Sequence, residues 1–241
     1  MKINDAHFVY FLVLAGVIIF PLLFSFTRKF YFIRHLKKFV LASIPVALFF
    51  IVWDIFFTSQ NVWWFNEDYI TGFKIFNLPI EEILFFFVIP YACVFTFFNI
   101  VQFDKYIPVD SIPARVFFTL IFVLSLILSV IYNEQWYTFS TFLILSYSLF
   151  FFLFLYYDQK FLKYFLIEYV LILPFFLLSN GILTGSFWVE NPVVYYNDNH
   201  HLGIRIFNIP IVDFFYGMLM LLWISYIFYE QLKKENIMKN L

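Results

Sequence analysis

Charge is scarce in this sequence. Asp, Glu, Lys and Arg make up 13% of its 241 residues, against about 25% in an average soluble protein. The 15 basic and 16 acidic residues nearly cancel, so no basic surplus exists to neutralise phosphates, and nucleic-acid binding falls away. A single cysteine, Cys93, excludes an internal disulfide framework and a multi-cysteine metal site; between Ala92 and Val94 it reads as a small core residue. No GxGxxG loop is present for a dinucleotide, no aspartate-rich pair for a magnesium diphosphate and no histidine-rich box for a di-iron centre. The last apolar run holds no lysine, which excludes a retinal Schiff base there. What abounds is apolar and aromatic: 63% of residues are hydrophobic, with 40 Phe, 17 Tyr and 6 Trp. A globule of this length has too little interior to hide that excess from water, so the bilayer is the solvent.

A helix needs about 20 apolar residues to cross about 30 Å of hydrocarbon, and no other open structure satisfies its own backbone there. Seven such runs lie at 8–26, 39–57, 81–100, 115–132, 136–157, 165–183 and 211–230. The first is long, has only Lys2 ahead of it and runs into a basic block instead of a small-residue cleavage site, so it reads as a membrane helix and not as a signal peptide. Segments rich in Lys and Arg stay cytoplasmic. Arg28, Lys29, Arg34, Lys37, Lys38, Lys105, Arg115, Lys160, Lys163, Lys233, Lys234 and Lys239 all fall on one side of a seven-span chain, leaving only Lys2, Lys74 and Arg205. The expectation is a multi-pass protein of the cell membrane, amino terminus outside and carboxyl terminus cytoplasmic.

An internal repeat carries the next step. Gly72-Phe-Lys-Ile-Phe-Asn-Leu-Pro-Ile-Glu-Glu-Ile-Leu-Phe85 matches Gly203-Ile-Arg-Ile-Phe-Asn-Ile-Pro-Ile-Val-Asp-Phe-Phe-Tyr216 at a constant offset of 131. The copies open the third and seventh spans, so they point the same way and face the outer side. The fold expected is all-α: seven transmembrane helices, as two parallel three-helix repeats over 1–105 and 136–241, related by an axis along the membrane normal, with a connecting helix within 106–135.

Each copy reads as a helix entry. Asn77 or Asn208 stands at the cap, Pro79 or Pro210 in the first turn where its missing N–H costs nothing, and carboxylates follow within a turn. The helix dipole alone favours acids there by about 0.3–1 kcal/mol. Depth argues for more, because an ionisable group in hydrocarbon costs about 2.5 kcal/mol or more on insertion scales, and such groups usually line a site. Glu82 aligns with Asp213 and Glu81 with Val212. If the entries meet across the pseudo-twofold, Glu82 and Asp213 share a cavity and their titrations couple. Asp54, near the end of the second span, is expected at the same outer site, whereas Glu168 near the start of the sixth belongs to the cytoplasmic interface. Lys74 and Arg205 read as counter-ions for the carboxylates. Asn180, Thr184, Tyr195, Tyr196 and Asn197 lie ahead of the second motif, where they line its mouth. His200 and His201 have no further histidine nearby to make a metal site, and Trp63, Trp64 and Trp188 read as interface anchors.

Leu78-Pro79-Ile80-Glu81-Glu82 and Ile209-Pro210-Ile211-Val212-Asp213, set in membrane halves of three spans with a fusing helix between them, resemble the lycopene cyclase domain family. This is the integral-membrane type found as two small subunits or one fused chain, and the resemblance covers essentially the whole sequence. It implies a lycopene beta-cyclase of carotenoid biosynthesis, an intramolecular lyase or isomerase that closes acyclic ends to beta-ionone rings without cofactor or metal, giving gamma-carotene, beta-carotene or both. Glu81, Glu82 and Asp213 are the implied catalytic acids. The candidate substrate-binding residues are Asp54, Lys74, Asn77, Pro79, Phe85, Phe86, Arg205, Asn208, Pro210 and Phe214. The implied partners are lycopene or a related acyclic carotenoid, the lipid bilayer and other carotenoid enzymes. Val212 departs from the pattern, since the family's second motif often has an acid there.

Such chemistry needs one protonated acid, one base, a dry cavity and walls that tolerate a carbocation. Aromatic faces supply the last at about 0.5–2 kcal/mol per contact, and Phe85, Phe86, Phe87, Phe214, Phe215 and Tyr216 directly follow the acids, though packing alone also accounts for aromatics here. Two other readings use the same residues. A carotenoid hydratase would trap a similar cation with water, and a lipophile-binding or transport protein would use the duplicated helix entries without turnover.

Overall fold

The computed structural model describes residues 6–106, 110–187 and 191–235. Lys2, Trp188 and Lys239 lie outside them. The chain is mostly α-helical, with α1 at Val9–Ser25, α2 at Leu36–Ser59, α3 at Ile80–Gln102, α4 at Ile112–Ile131, α5 at Trp136–Phe150, α6 at Gln159–Leu183 and α7 at Ile211–Lys234. A π-helical turn, Phe151–Tyr156, extends α5. Among the described residues, six helical segments are long and apolar enough to cross a membrane, and α1, at 17 residues, is apolar but shorter. This makes a multi-pass membrane protein, and every expected span overlies one of the helices. Large apolar side chains such as Leu12, Phe20, Val52, Leu120 and Val130 face outward, as lipid contact requires.

Lipid tails are as apolar as leucine, so burial against other helices gains little by itself, and close packing must hold the bundle. Here aromatic rings do it. Phe161 meets Phe152 at 5.3 Å and Tyr229 at 5.6 Å, and Phe32 meets Tyr91 at 5.4 Å; such pairs contribute about 0.5–1.5 kcal/mol each beyond their area. The helices pair as α1 on α3 and α5 on α7, and as α2 on α7 and α6 on α3, with α4 against α5.

Short strands close the bundle at the end where α3 and α7 begin. β1 (Trp63–Phe65) runs antiparallel to the strand Val194–Tyr196, with Trp63 opposite Tyr196, Trp64 opposite Tyr195 and Phe65 opposite Val194. Between them in the chain come β2 (Lys74–Ile75) and β3 (Leu78–Pro79), so Val194–Tyr196 is β4; β5 (Arg205–Ile206) and β6 (Ile209–Pro210) follow. The β2–β3 and β5–β6 hairpins have the same register and lead straight into α3 and α7. Their two-residue turns force positive φ on Phe76 (56°), Phe207 (48°) and Asn208 (60°), as tight hairpin turns do.

These hairpins correct the expected helix entries. Pro79 and Pro210 occupy the cap position itself, and neither Asn77 nor Asn208 caps a helix. The asparagines sit in the turns, so their amides reach across: Asn77 Nδ2 donates to Ile55 O at 2.8 Å and Asn208 Nδ2 to Gly185 O at 3.3 Å. The hairpin backbone takes over part of the capping, since Ile80 N donates to Phe73 O and Ile211 N to Ile204 O, both at 2.9 Å.

Candidate active site

The two hairpins set the first turns of α3 and α7 side by side, and with them the carboxyl groups of Glu82 and Asp213. Both line one cavity of about 710 Å³, and Asp54, near the end of α2, lines it too. All three are buried. Every one of them accepts from a phenol: Tyr10 Oη donates to Glu82 Oε2 at 2.5 Å, Tyr216 Oη to Asp54 Oδ1 at 2.7 Å, and Tyr137 and Tyr196 Oη to the two oxygens of Asp213 at 2.7 and 2.8 Å.

The surroundings of the acids differ. Asp54 and Glu82 lie within hydrogen-bonding reach of each other, and a hydrogen bond between two carboxyl groups requires a proton on one of them. Asp213 instead has both oxygens occupied by phenol donors, the arrangement that suits a carboxylate. Tyr196, in β4 outside the helices, has its phenol pushed well above the ordinary value by burial and by the Asp213 charge, so it stays a donor.

Aromatic faces surround the cluster. Trp63 lies 5.0 Å from Tyr137 and 6.2 Å from Tyr216, Tyr137 lies 5.8 Å from Tyr216, and Phe85 adds another wall. From the acids the cavity runs along α1 to Phe24 and along α3 to Thr96, about 21 Å of helix and two thirds of a hydrocarbon core of about 30 Å. Leu12, Phe20 and Phe24 of α1 and Phe175 and Leu178 of α6 line it while themselves facing outward. The cavity therefore opens sideways, between α1 and α6, into the space that lipid fills.

A family model described as lycopene cyclase matches residues 7–101 and 134–231, most of the chain in two repeated segments. The chain belongs to the lycopene cyclase family. No curated protein and no solved structure matches it.

Within this cyclase-family chain, the expected site residues divide. Asp54, Glu82, Phe85, Asp213 and Tyr216 line the cavity, as do Asn180, Tyr196, Trp63 and Cys93. Trp63 is thus a buried wall and not an interface anchor; Trp64 is exposed and stacks on Tyr195. Glu81 points away from the cavity, where its Oε1 accepts from Thr71 N at 2.8 Å and its buried Oε2 has no partner among the described residues. Phe86 packs on Phe50, Phe214 on Phe176 and Phe215 on Phe142, and Phe87 packs against the core. Asn77, Pro79, Asn208 and Pro210 shape the hairpins around the site.

Lys74 and Arg205 are not counter-ions of the buried acids. They stand on exposed hairpin strands, where Lys74 pairs with Glu67 and Arg205 Nη2 with Asp198 Oδ1 at 2.7 Å. The Arg205 hydrogen bond holds the Asp198 carboxyl below its ordinary value. His201 belongs to this cluster, with Nε2 2.9 Å from Asp198 Oδ1, and His200 lies beside Trp136. Thr184 donates to Asn180 O at 2.8 Å, and the Asn197 side chain accepts from Asn199 N at 3.1 Å. Glu168, the tenth residue of α6, is fully buried, and both its oxygens accept from Ser225 Oγ, at 3.0 and 3.2 Å.

Sequence reasoning missed Tyr10 and Tyr137. Their signal was present: each is the second residue of its helix, and they are 127 apart, the same spacing as the starts of the two matched segments.

Proposed function

We propose that this protein closes the acyclic end of lycopene, or of a related carotenoid, to a beta-ionone ring by proton transfer alone. The observation that carries the reading is the acid cluster at the head of an apolar, aromatic-walled cavity that opens to the bilayer. A polyene dissolved in lipid enters between α1 and α6 with its end towards Glu82. The proton held by the Glu82 and Asp54 pair adds to the terminal trisubstituted double bond, leaving a tertiary cation. An internal double bond attacks that cation, one carbon–carbon bond forms, and the charge moves into the new ring. Loss of a ring proton to Asp213 gives the cyclic alkene. One proton enters and one leaves, so the product is an isomer of the substrate.

The groups suit these roles. General acid and base contributions of about 10²–10⁴-fold each depend on one carboxyl being protonated and another ionised, and the two environments differ in that sense. Trp63, Phe85, Tyr137 and Tyr216 line the cavity around the acids, and aromatic rings so placed stabilise developing positive charge. We read the chain as a duplication in which α1–α3 answer α5–α7 and α4 restores direction, with the acid cluster towards the outer face, the amino terminus outside and the carboxyl terminus cytoplasmic, as the distribution of Lys and Arg supports.

The test is the pigment profile of lycopene-producing cells that express the chain, beside a Glu82→Gln copy at equal membrane level. Ring-bearing carotenoid with the wild type and none with the variant supports the reading. Unchanged lycopene from well-expressed wild type refutes it, and a hydroxylated acyclic product replaces it with hydration.

A further inference from the structure

The acid cavity has a counterpart groove elsewhere in the bundle. This second groove, of about 450 Å³, lies between α2, α5 and α7. Ile144, Tyr147 and Ser148 line it where Val17, Phe20 and Pro21, each 127 residues earlier, line the acid cavity. Val46, Phe49 and Phe50 line it where Ile172, Phe175 and Phe176, each 126 residues later, line the acid cavity. The same fold thus builds the same groove twice, but no carboxyl group lines the second.

Side-chain size separates them. Three small residues, Gly16, Ala92 and Gly217, line the acid cavity. At the same offsets their counterparts are Leu143, Trp223 and Phe86. A Cβ on Gly16 would meet nothing within 4 Å, and one on Gly217 only Phe176 at 3.8 Å, so the space beside these glycines is unfilled by protein. On the other side Trp223 fills the corresponding space: its ring stacks on Phe151 at 5.6 Å and its Nε1 donates to Ser148 Oγ at 2.9 Å. Phe86 is fully buried against Phe50, a residue that lines the second groove.

We propose that each chain has one working polyene pocket, held open by Gly16, Ala92 and Gly217, and that it cyclises one substrate end per visit. A linear polyene carries its two reactive ends far apart, and a single acid cluster behind a single lateral opening reaches one of them at a time. The one-ringed product returns to the lipid, and a second closure requires a new entry with the other end first. The proposal rests on the cyclase reading of the site.

The experiment uses membranes containing the full chain and isotopically labelled lycopene, with a large excess of unlabelled one-ringed carotenoid. Label held in the one-ringed pool is the expected result. Label that passes into two-ringed product undiluted overturns the proposal. In parallel, Ala92→Trp and Gly217→Phe are expected to lower ring formation by about 100-fold or more, because a substrate displaced by an ångström loses that much, whereas Trp223→Ala stays within about 3-fold of wild type. Should Ala92→Trp fail to accumulate in the membrane, Ala92→Leu, with a smaller intrusion, is expected to show a graded loss at unchanged protein level. Full activity of folded Ala92→Trp or Ala92→Leu refutes the pocket assignment while leaving the cyclase intact. A wild type that forms no ring at all refutes the cyclase reading and the pocket with it.

Discussion

Trp64 stacks on Tyr195 with ring centroids 5.6 Å apart and planes 11° from parallel, and the same two residues face each other across the β1–β4 ladder. They are 131 residues apart, as Glu82 and Asp213 are, so each is paired with its own counterpart. Contacts around them recur reciprocally. Asn66 N donates to Val193 O at 2.8 Å and Asn197 N to Val62 O at 2.9 Å; Tyr10 on Glu82 is answered by Tyr137 on Asp213. The correspondence fails at the charges, where Asp54 answers to Asn180 and Glu81 to Val212. A nearly symmetric scaffold therefore carries an unsymmetric set of acids, which is what acid and base roles at one site need.

Replacing one of those acids separates protonation from packing. Glu82→Gln keeps the size and an acceptor for Tyr10 but cannot give up a proton. Ring formation is expected to fall by about 10²-fold or more at equal membrane level, with the melting temperature in detergent little changed. Asp54→Asn should follow it, since it removes the carboxyl partner that shares the proton. Near-normal turnover in either variant would exclude the pair as proton donor.

The phenols are expected to matter unequally. Hydrogen bonds to charged groups contribute about 1.5–3 kcal/mol. Tyr137→Phe and Tyr196→Phe each leave Asp213 one donor, so each should slow turnover moderately and the double variant far more. The rates of the single variants and the pair, read as a double-mutant cycle, check this. Independent, additive effects would argue against a shared carboxylate partner.

Much of this arrangement was legible in the sequence because membrane helices announce themselves by long apolar runs, and because the Gly72 and Gly203 motifs align without a gap. Glu82 and Asp213 followed from the duplicated motif and their depth, and Asp54 from its place near the end of the second span. What could not be read was direction. Lys74 and Arg205 were expected beside the acids because they share the motif, yet both residues of β2 and both of β5 are exposed, so this arm of each hairpin stands clear of the buried acids. Asn77 looked like a cap because the hairpin turn that redirects its amide spans only two residues. Tyr10 and Tyr137 were hidden among 17 tyrosines, since their helices lack a proline-acid motif to mark them.

Glu81 tests how far motif membership implies chemistry. It shares the first turn of α3 with Glu82 but bonds Thr71 N instead of facing the cavity. Glu81→Gln retains the acceptor and is expected to cyclise at close to the wild-type rate. Glu81→Ala leaves that backbone N–H unpaired, at a cost of about 1–3 kcal/mol, or a melting temperature lower by about 2–4 °C per kcal/mol. Loss of turnover in Glu81→Gln, with stability intact, would place this carboxyl in the reaction after all.

Acid should loosen the second hairpin. His201 Nδ1 accepts from Gly203 N at 3.0 Å, at a glycine whose φ of 71° few other residues adopt. That bond needs a bare Nδ1, and so a neutral ring with its proton on Nε2 towards Asp198. Burial first, and then Arg205, hold the ring's pKa below the usual 6.5. Because the folded value lies under the unfolded one, the stability from this contact is complete above about pH 6.5. It drains as pH falls through the folded value, when Nδ1 takes a proton and faces the Gly203 N–H as a second donor. The Arg205–Asp198 pair follows the same sign at lower pH, being complete above about pH 4 and lost below it. The melting temperature of the detergent-solubilised protein is therefore expected to fall in two stages on acidification. His201→Asn, whose side-chain oxygen can accept from Gly203 N without titrating, should flatten the upper stage and leave the lower one. An unchanged upper stage in that variant would assign the acid sensitivity to another group.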